Sequence, residues 1–347
     1  MRIGIIGDGS MATVCALIVA AKSSGADPVE VRVWGRDPAR LAAMNAAREN
    51  TRYLPGFKLP ENLQFAADGA AAFGAADLIV CAMPTQYIRP ALEKLAPHIP
   101  PRVPVVSVSK GIEIATLKRP SEIIAELPGP RHVAALSGPS IAGELARRLP
   151  ATMVVAAGGP ADAGTARCRT PDEFARWIQE LFTTPYLRVY RNDDLLGVEL
   201  AGALKNVIAV AAGILDGMRA GNNAKAALLT RGLVEITRLG LALGAQAETF
   251  AGLAGLGDLV TTCVSPEGRN RTFGERIGRG ETVAEALAHM PGVVEGMPTC
   301  EAVVRLAKAK GIEMPIAEAL HAVLYEGRGL REKLAELMGR APKHEGD

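Results

Sequence analysis

A chain of 347 residues, 48% hydrophobic but only 4% aromatic, has material for two domains with cores built from Ala, Val, Leu and Ile. Its net charge of +2, with both signs well mixed, excludes a nucleic-acid binder working through a broad basic surface, yet leaves room for a few basic residues gathered at a phosphate site. The five cysteines (Cys15, Cys81, Cys168, Cys263 and Cys300) make no CxxC pair and the five histidines no ligand spacing, so neither a zinc or other metal site nor a disulfide framework is indicated.

The chain opens directly in a strand-like run, without the charged, apolar and small-residue zones of a secretory leader. No run of about 18 uninterrupted apolar residues follows. The expectation is a cytoplasmic protein with no membrane partner. Strands are predicted over residues 2–6, 29–34, 63–66, 78–83, 103–108, 132–136, 152–156 and 186–190. Most are apolar throughout rather than alternating, which suits strands covered on both faces. Alternation with Ala-rich helical stretches predicts an α/β fold, a largely parallel, doubly wound Rossmann-like sheet. Residues 158–171, rich in Gly, Ala, Pro and Thr, read as a surface loop.

The texture changes near residues 191–194. Beyond them no convincing strand appears, and helices are predicted over 195–218, 224–243, 270–278, 282–289, 299–310 and 316–325. The expected division is a dinucleotide-binding domain over 1–191, an all-helical substrate domain over 192–340, and a frayed tail over 341–347. No internal repeat is visible.

The chemistry-bearing words are also taken in chain order. The first strand runs into Gly7-Asp8-Gly9-Ser10-Met11-Ala12, with a helix from about Thr13. Gly7 permits the tight turn, Gly9 lets a pyrophosphate reach the backbone, and Ala12 allows close helix–strand packing. The helix start offers free N–H groups and a positive dipole end. The second strand ends Val33-Trp34-Gly35-Arg36, where an acidic residue would bind a ribose 2′-hydroxyl. Arg36 suits a 2′-phosphate and NADP(H), whereas Asp37, one step later, could serve NAD(H). Ser109-Lys110-Gly111 and Ser137-Gly138-Pro139-Ser140 follow strands, where ligands of such sheets sit.

In the helical half, Lys205 and Asn206 are the strongly polar residues of an otherwise apolar stretch, 200–215. A lysine there must snorkel, pair or do chemistry; desolvation would draw its pKa towards neutrality, as a proton donor or acceptor needs. Asp258 stands in the Gly-rich run Gly255-Leu256-Gly257-Asp258, either pairing with Lys205 or capping a helix. Arg269-Asn270-Arg271 precedes a helix that Asn270 is expected to cap, and arginine matches phosphate with two parallel hydrogen bonds.

Through these words, with Gly221-Asn222-Asn223-Ala224-Lys225 and Glu295-Gly296, the chain resembles the bacterial NAD(P)-dependent glycerol-3-phosphate dehydrogenases over nearly its whole length. The resemblance implies interconversion of dihydroxyacetone phosphate and sn-glycerol 3-phosphate with NADP(H) or NAD(H), and a homodimer paired through the helical half. It implies Lys205 as general acid in reduction and base in oxidation, with Lys110 and Asp258 beside it. Gly138, Ser140, Arg269 and Asn270 would join these three in holding substrate. Gly7, Gly9, Ser10, Met11, Arg36, Lys110, Ala142, Arg269, Val293 and Glu295 would line the cofactor site. Three positions depart from the pattern: Ala12 replaces the third glycine, Met11 an aromatic residue, and Gly268 the serine before Arg269-Asn270, so that Gly268 would hold substrate through its backbone without a hydroxyl. A 6-phosphogluconate or 2-ketopantoate enzyme shares the two-part plan but leaves the Lys205, Asp258 and Arg269-Asn270 words unexplained. A non-catalytic dinucleotide sensor leaves Lys205 without a use.

Overall fold

The computed structural model describes residues 1–342 and 344. The tail expected at 341–347 thus lies partly outside the described residues. The first half runs β1 (Arg2–Ile6), α1 (Ser10–Ala20), β2 (Glu30–Trp34), α2 (Pro38–Ala47), β3 (Glu49–Asn50), β4 (Leu54–Lys58), β5 (Leu63–Ala66), α3 (Gly69–Phe73), β6 (Leu78–Cys81), α4 (Ile88–Leu95), β7 (Val105–Ser107), α5 (Pro120–Ile124), β8 (Val133–Ser137), α6 (Ala142–Ala146), β9 (Ala151–Gly158), α7 (Pro171–Phe182) and β10 (Leu187–Arg191).

Eight strands form one sheet in the order β10-β9-β8-β7-β6-β1-β2-β5. Neighbours are parallel except β8 and β9, which pair antiparallel from Val133 opposite Gly158 to Ser137 opposite Val154. Strands β6, β7 and β8 are buried along their whole length, as their apolar runs require. Ile3, Ile5, Val31 and Val80 face a layer with Val14 and Ile18 of α1 and Phe174 and Ile178 of α7. Ile6, Ile79 and Val105 face the opposite layer with Phe73, Ile88, Leu92 and Ile123. Pro171 starts α7, and Thr170 caps it by accepting from the Glu173 N–H at 3.2 Å.

Several expectations need adjustment. Helix α1 begins at Ser10 rather than near Thr13. A two-stranded ribbon, β3 with β4, was not foreseen. The 158–171 loop is not purely superficial: Ala163 and Cys168 are fully buried, and Thr165 Oγ1 accepts from the Cys168 N–H.

The second half is α8 (Leu195–Gly217), α9 (Asn222–Ala242), α10 (Ala247–Ala251), a π-helical turn (Leu253–Gly257), α11 (Asp258–Val264), α12 (Arg269–Gly278), α13 (Val283–Ala288), α14 (Gly296–Lys310), α15 (Pro315–Glu326) and α16 (Leu330–Met338). Helix α8 is long and apolar enough to cross a membrane, yet 94% of its apolar window is buried inside the protein, where it serves as the axle of the helical half. Asp194 caps it, accepting from the Gly197 N–H at 2.7 Å, and also receives the Gln246 N–H and the Thr249 hydroxyl. Helix α12 lies against α8 backbone to backbone. A Cβ built on Gly213 would stand 2.0 Å from the Arg271 carbonyl oxygen, and one on Gly274 equally close to that of Val210. Gly217 and Gly278 repeat the contact one turn on, so only glycine fits this crossing.

Candidate active site between the two halves

The glycine turn after β1 has the form the sequence suggested. Gly7 has φ +108°, and a Cβ there would meet the Ala82 carbonyl oxygen at 2.6 Å. A Cβ on Gly9, by contrast, would enter open space. No side chain caps α1, so its first N–H groups face outward, and Ser10 and Met11 form its first turn. Asn50 braces the turn by donating to the Asp8 carbonyl and to Thr13 Oγ1. Arg36 is exposed past β2, its guanidinium 5.6 Å from the centre of the Tyr87 ring. The Asp37 carboxylate caps α2 by accepting from the Arg40 N–H.

Lys110, Lys205 and Asp258 converge. Lys205 projects from the middle of α8 and is only 5% exposed; it does not snorkel to solvent. Its Nζ donates to Asp258 Oδ1 at 2.9 Å and to the Thr262 hydroxyl. Lys110, on the segment after β7, donates to Asp258 Oδ2 at 2.7 Å, to the Gly138 carbonyl at 3.0 Å and to Ser140 Oγ at 3.4 Å. One buried carboxylate therefore ties a lysine from each half. Burial lowers the Lys205 pKa to about 8; Lys110 acts in the same sense, while Asp258 opposes the shift. Burial pushes the Asp258 carboxyl up, but the Lys110 and Lys205 ammoniums outweigh it and hold the group below the ordinary carboxylate range. Thr262 was missed from sequence; its place four residues after Asp258 on α11 is the signal that points to it.

Asn270 does not cap α12. Gly268 holds the N-cap position, and the Asn270 side chain is spent inside the protein. It donates to Asn206 Oδ1 at 2.9 Å and accepts from the Gly296 N–H at 2.9 Å, while Asn206 donates to the Lys110 carbonyl at 3.0 Å. The amide competes for a buried partner instead of folding back on its own helix start. Gly268 uses its N–H on the Ser265 carbonyl, and a Cβ there would lie 3.0 Å from the Thr262 carbonyl oxygen. Arg269 opens α12, exposed, with no hydrogen bond to the lysine–aspartate cluster. It lies near Gly292, close to Val293 and Glu295 in sequence.

Glu295 reaches across to the first half, where its Oε1 accepts from the Thr85 N–H at 3.0 Å. Its Oε2 and the Thr85 hydroxyl are buried without a partner among the described residues, both close to Gly111. Burial pushes the Glu295 carboxyl up to about 7. Orphaned polar atoms, an open glycine turn and an uncapped helix start fit a dinucleotide lying along the ends of these strands. Ala142 opens α6 on the same side of the sheet as α1. Among the described residues no group of three or more His, Cys, Asp or Glu is placed to hold a metal ion.

Residues 2–163 match the family model for the N-terminal part of NAD-dependent glycerol-3-phosphate dehydrogenase, and residues 194–335 match the C-terminal one. A glycerol-3-phosphate dehydrogenase [NAD(P)+] from Geobacter sp. (strain M21) is 46% identical, over 99% of each chain. The crystal structure of a glycerol-3-phosphate dehydrogenase from Coxiella burnetii superposes with a TM-score of 0.89 at 34% identity, over 98% of this chain and 99% of that one. A ketopantoate reductase family structure from Ralstonia eutropha, with a TM-score of 0.57 at 15% identity, shares the fold alone.

Proposed function

The chain belongs to the NAD-dependent glycerol-3-phosphate dehydrogenase family, and from that premise we propose how its own residues divide the work of the reaction. It interconverts dihydroxyacetone phosphate and sn-glycerol 3-phosphate with NAD(P)(H). The observation that carries the assignment of roles is the Asp258 carboxylate bridging Lys205 and Lys110 where the halves meet.

A nicotinamide dinucleotide held in the cleft between Gly7 and Glu295 would supply or receive the hydride. Lys205, buried and with its pKa brought to about 8, gives a proton to the substrate carbonyl oxygen in reduction and takes one from the hydroxyl in oxidation. Asp258 and Thr262 aim that amine. Lys110 and Ser140 hold the substrate's oxygen atoms beside the Gly138 turn. Arg269 and the uncapped start of α12 form the phosphate clamp, with free N–H groups, a positive dipole end and a guanidinium together. Asn270 contributes its backbone N–H and positions the clamp through its side chain; Gly268 offers only its backbone, without a hydroxyl. Arg36 receives a 2′-phosphate, a role favoured by the use of Asp37 as a helix cap, while Gly7, Gly9, Ser10, Met11, Ala142, Val293 and Glu295 line the dinucleotide cleft.

In this reading residues 1–191 are the dinucleotide-binding domain, which lends Lys110 and Ser140 to the substrate, and residues 192–340 are the substrate-binding domain, which lends Val293 and Glu295 to the cofactor. Pairing of two copies through the helical half would cover Leu256, Val260 and Val264, exposed at four-residue spacing. Five buried free cysteines fit a reducing cytoplasm. The product would supply glycerophospholipid synthesis. The test is a substrate comparison: chelator-treated protein reduces dihydroxyacetone phosphate with NAD(P)H and dihydroxyacetone far less efficiently. Equal kcat/KM for the two substrates, or activity lost on chelation, defeats the assignment.

A further inference from the structure

We infer that Asp216, acting through Arg271 and Lys225, is a positioning residue that sets the phosphate clamp at a fixed distance from Lys205 without touching substrate. The inference rests on the reading of Arg269 as the clamp.

Asp216 lies on α8 about three turns beyond Lys205. Its carboxylate gathers cations from two other helices. Arg271 Nε of α12 donates to Oδ2 at 2.7 Å, and Lys225 Nζ of α9 reaches both oxygens at 2.9 and 2.8 Å. The three side chains are 16–20% exposed, so solvent screens this cluster less than an open surface pair. Arg271 is two residues from Arg269, in the same first turn of α12.

The packing explains why an ion cluster is needed there. Gly213 and Gly217 of α8 meet Gly274 and Gly278 of α12 with backbones in contact. Such a seam fixes how near the helices lie. Bare backbone offers few knobs to stop one helix sliding or turning along the other. Besides the Asn206–Asn270 bond at the start of α12, the Asp216–Arg271 bond opposes that remaining motion, and Lys225 ties the carboxylate to a third helix. A slide of about an ångström at the start of α12 would carry Arg269 off a phosphate whose other end is held at Lys205. Nothing in the proton transfer uses Asp216, Arg271 or Lys225.

The experiment is a double-mutant comparison with two substrates, Asp216→Asn in the native and Arg269→Ala backgrounds, with NADPH affinity measured alongside. Asp216→Asn is expected to lower kcat/KM for dihydroxyacetone phosphate about tenfold, mainly through KM, and to change that for dihydroxyacetone less than about twofold. Added to Arg269→Ala, it should cost less than about a further twofold. Arg271→Gln should reproduce the effect, and Arg271→Lys should recover part of it; Arg271→Gln carries the comparison if Asp216→Asn does not fold. Equal losses on both substrates, or an undiminished loss in the Arg269→Ala background, overturn the inference. If Arg269→Ala alone leaves the preference for the phosphorylated substrate intact, the clamp reading falls first and takes this one with it.

Discussion

Lys205 Nζ rests against Asp258 and Thr262 with almost no exposure, so in the proposed role its loss leaves a proton path that water cannot easily replace. Lys205→Met should lower kcat by about 10²–10⁴-fold while NADPH still binds, read by steady-state kinetics and a binding titration. Because burial brings this amine to about 8, reduction, which needs the ammonium, should slow as pH rises through about 8. Oxidation, which needs the amine, should quicken over the same window. Profiles flat in both directions across it would remove Lys205 from the proton path. At the other end of the cleft, Arg36→Ala should weaken NADPH about tenfold or more relative to NADH, as loss of a charge-assisted bond implies; equal losses would return Arg36 to a stacking role on Tyr87. Lys205 and Asp258 stood out in sequence as charges in an apolar or Gly-rich setting, and Lys110 as a charge just past a strand. Their mutual contact was half legible: pairing of Asp258 with Lys205 was one reading, but its second oxygen on Lys110 needed the fold. The Asn270 side chain was misjudged because proximity to a helix start says nothing of a competing partner such as Asn206.

Among the elements, α8 has most resting on its start. Asp194 accepts from the Gly197 N–H, the Gln246 N–H and the Thr249 hydroxyl, joining α8 to α10. Asp194→Ala leaves two backbone donors without this acceptor and should cost about 2 kcal/mol or more in urea unfolding, the upper end of a cap's worth. A change below about 0.5 kcal/mol would show that water satisfies these donors equally well. The fully apolar strands and long helices were legible because periodicity and length leave few alternatives for them. The direction of β9 was not, since an apolar run carries no sign of which way it runs. The β3–β4 ribbon escaped because Leu54 is the buried hydrophobe of an otherwise exposed or half-buried β4. The turn at Leu253–Gly257 reads as coil by its glycines, yet winds as a π-helical turn into α11.

At the scale of the molecule, the halves are joined by polar bonds as well as by packing. Lys110 meets Asp258, Glu295 accepts from Thr85, and Glu199 of α8 accepts from Arg119 and from the N–H and hydroxyl of Ser121 in the first turn of α5. A dinucleotide spanning from the Gly7–Gly9 turn to Glu295 would touch both halves. NADPH at about 100 times its Kd should therefore stabilise the whole protein by about 2.7 kcal/mol and protect both halves together from proteolysis. Protection confined to residues 1–191 would mean that the dinucleotide does not reach the helical half.

Helix α8 leaves the ribosome before most of the helices that cover it, since α9, α11, α12 and α14 all follow in the chain. During synthesis it is an apolar rod with the length and hydropathy of a membrane span, met only on the side that faces β8, β9 and the start of α5. The glycine seam cannot form until α12 emerges, and Lys205 and Asp216 spend that interval without their partners. Birth of this enzyme thus has a vulnerable stage, in which the segment that carries Lys205 is open to aggregation and to capture by chaperones or lipid. A chain cut short near residue 220 would remain at that stage for good.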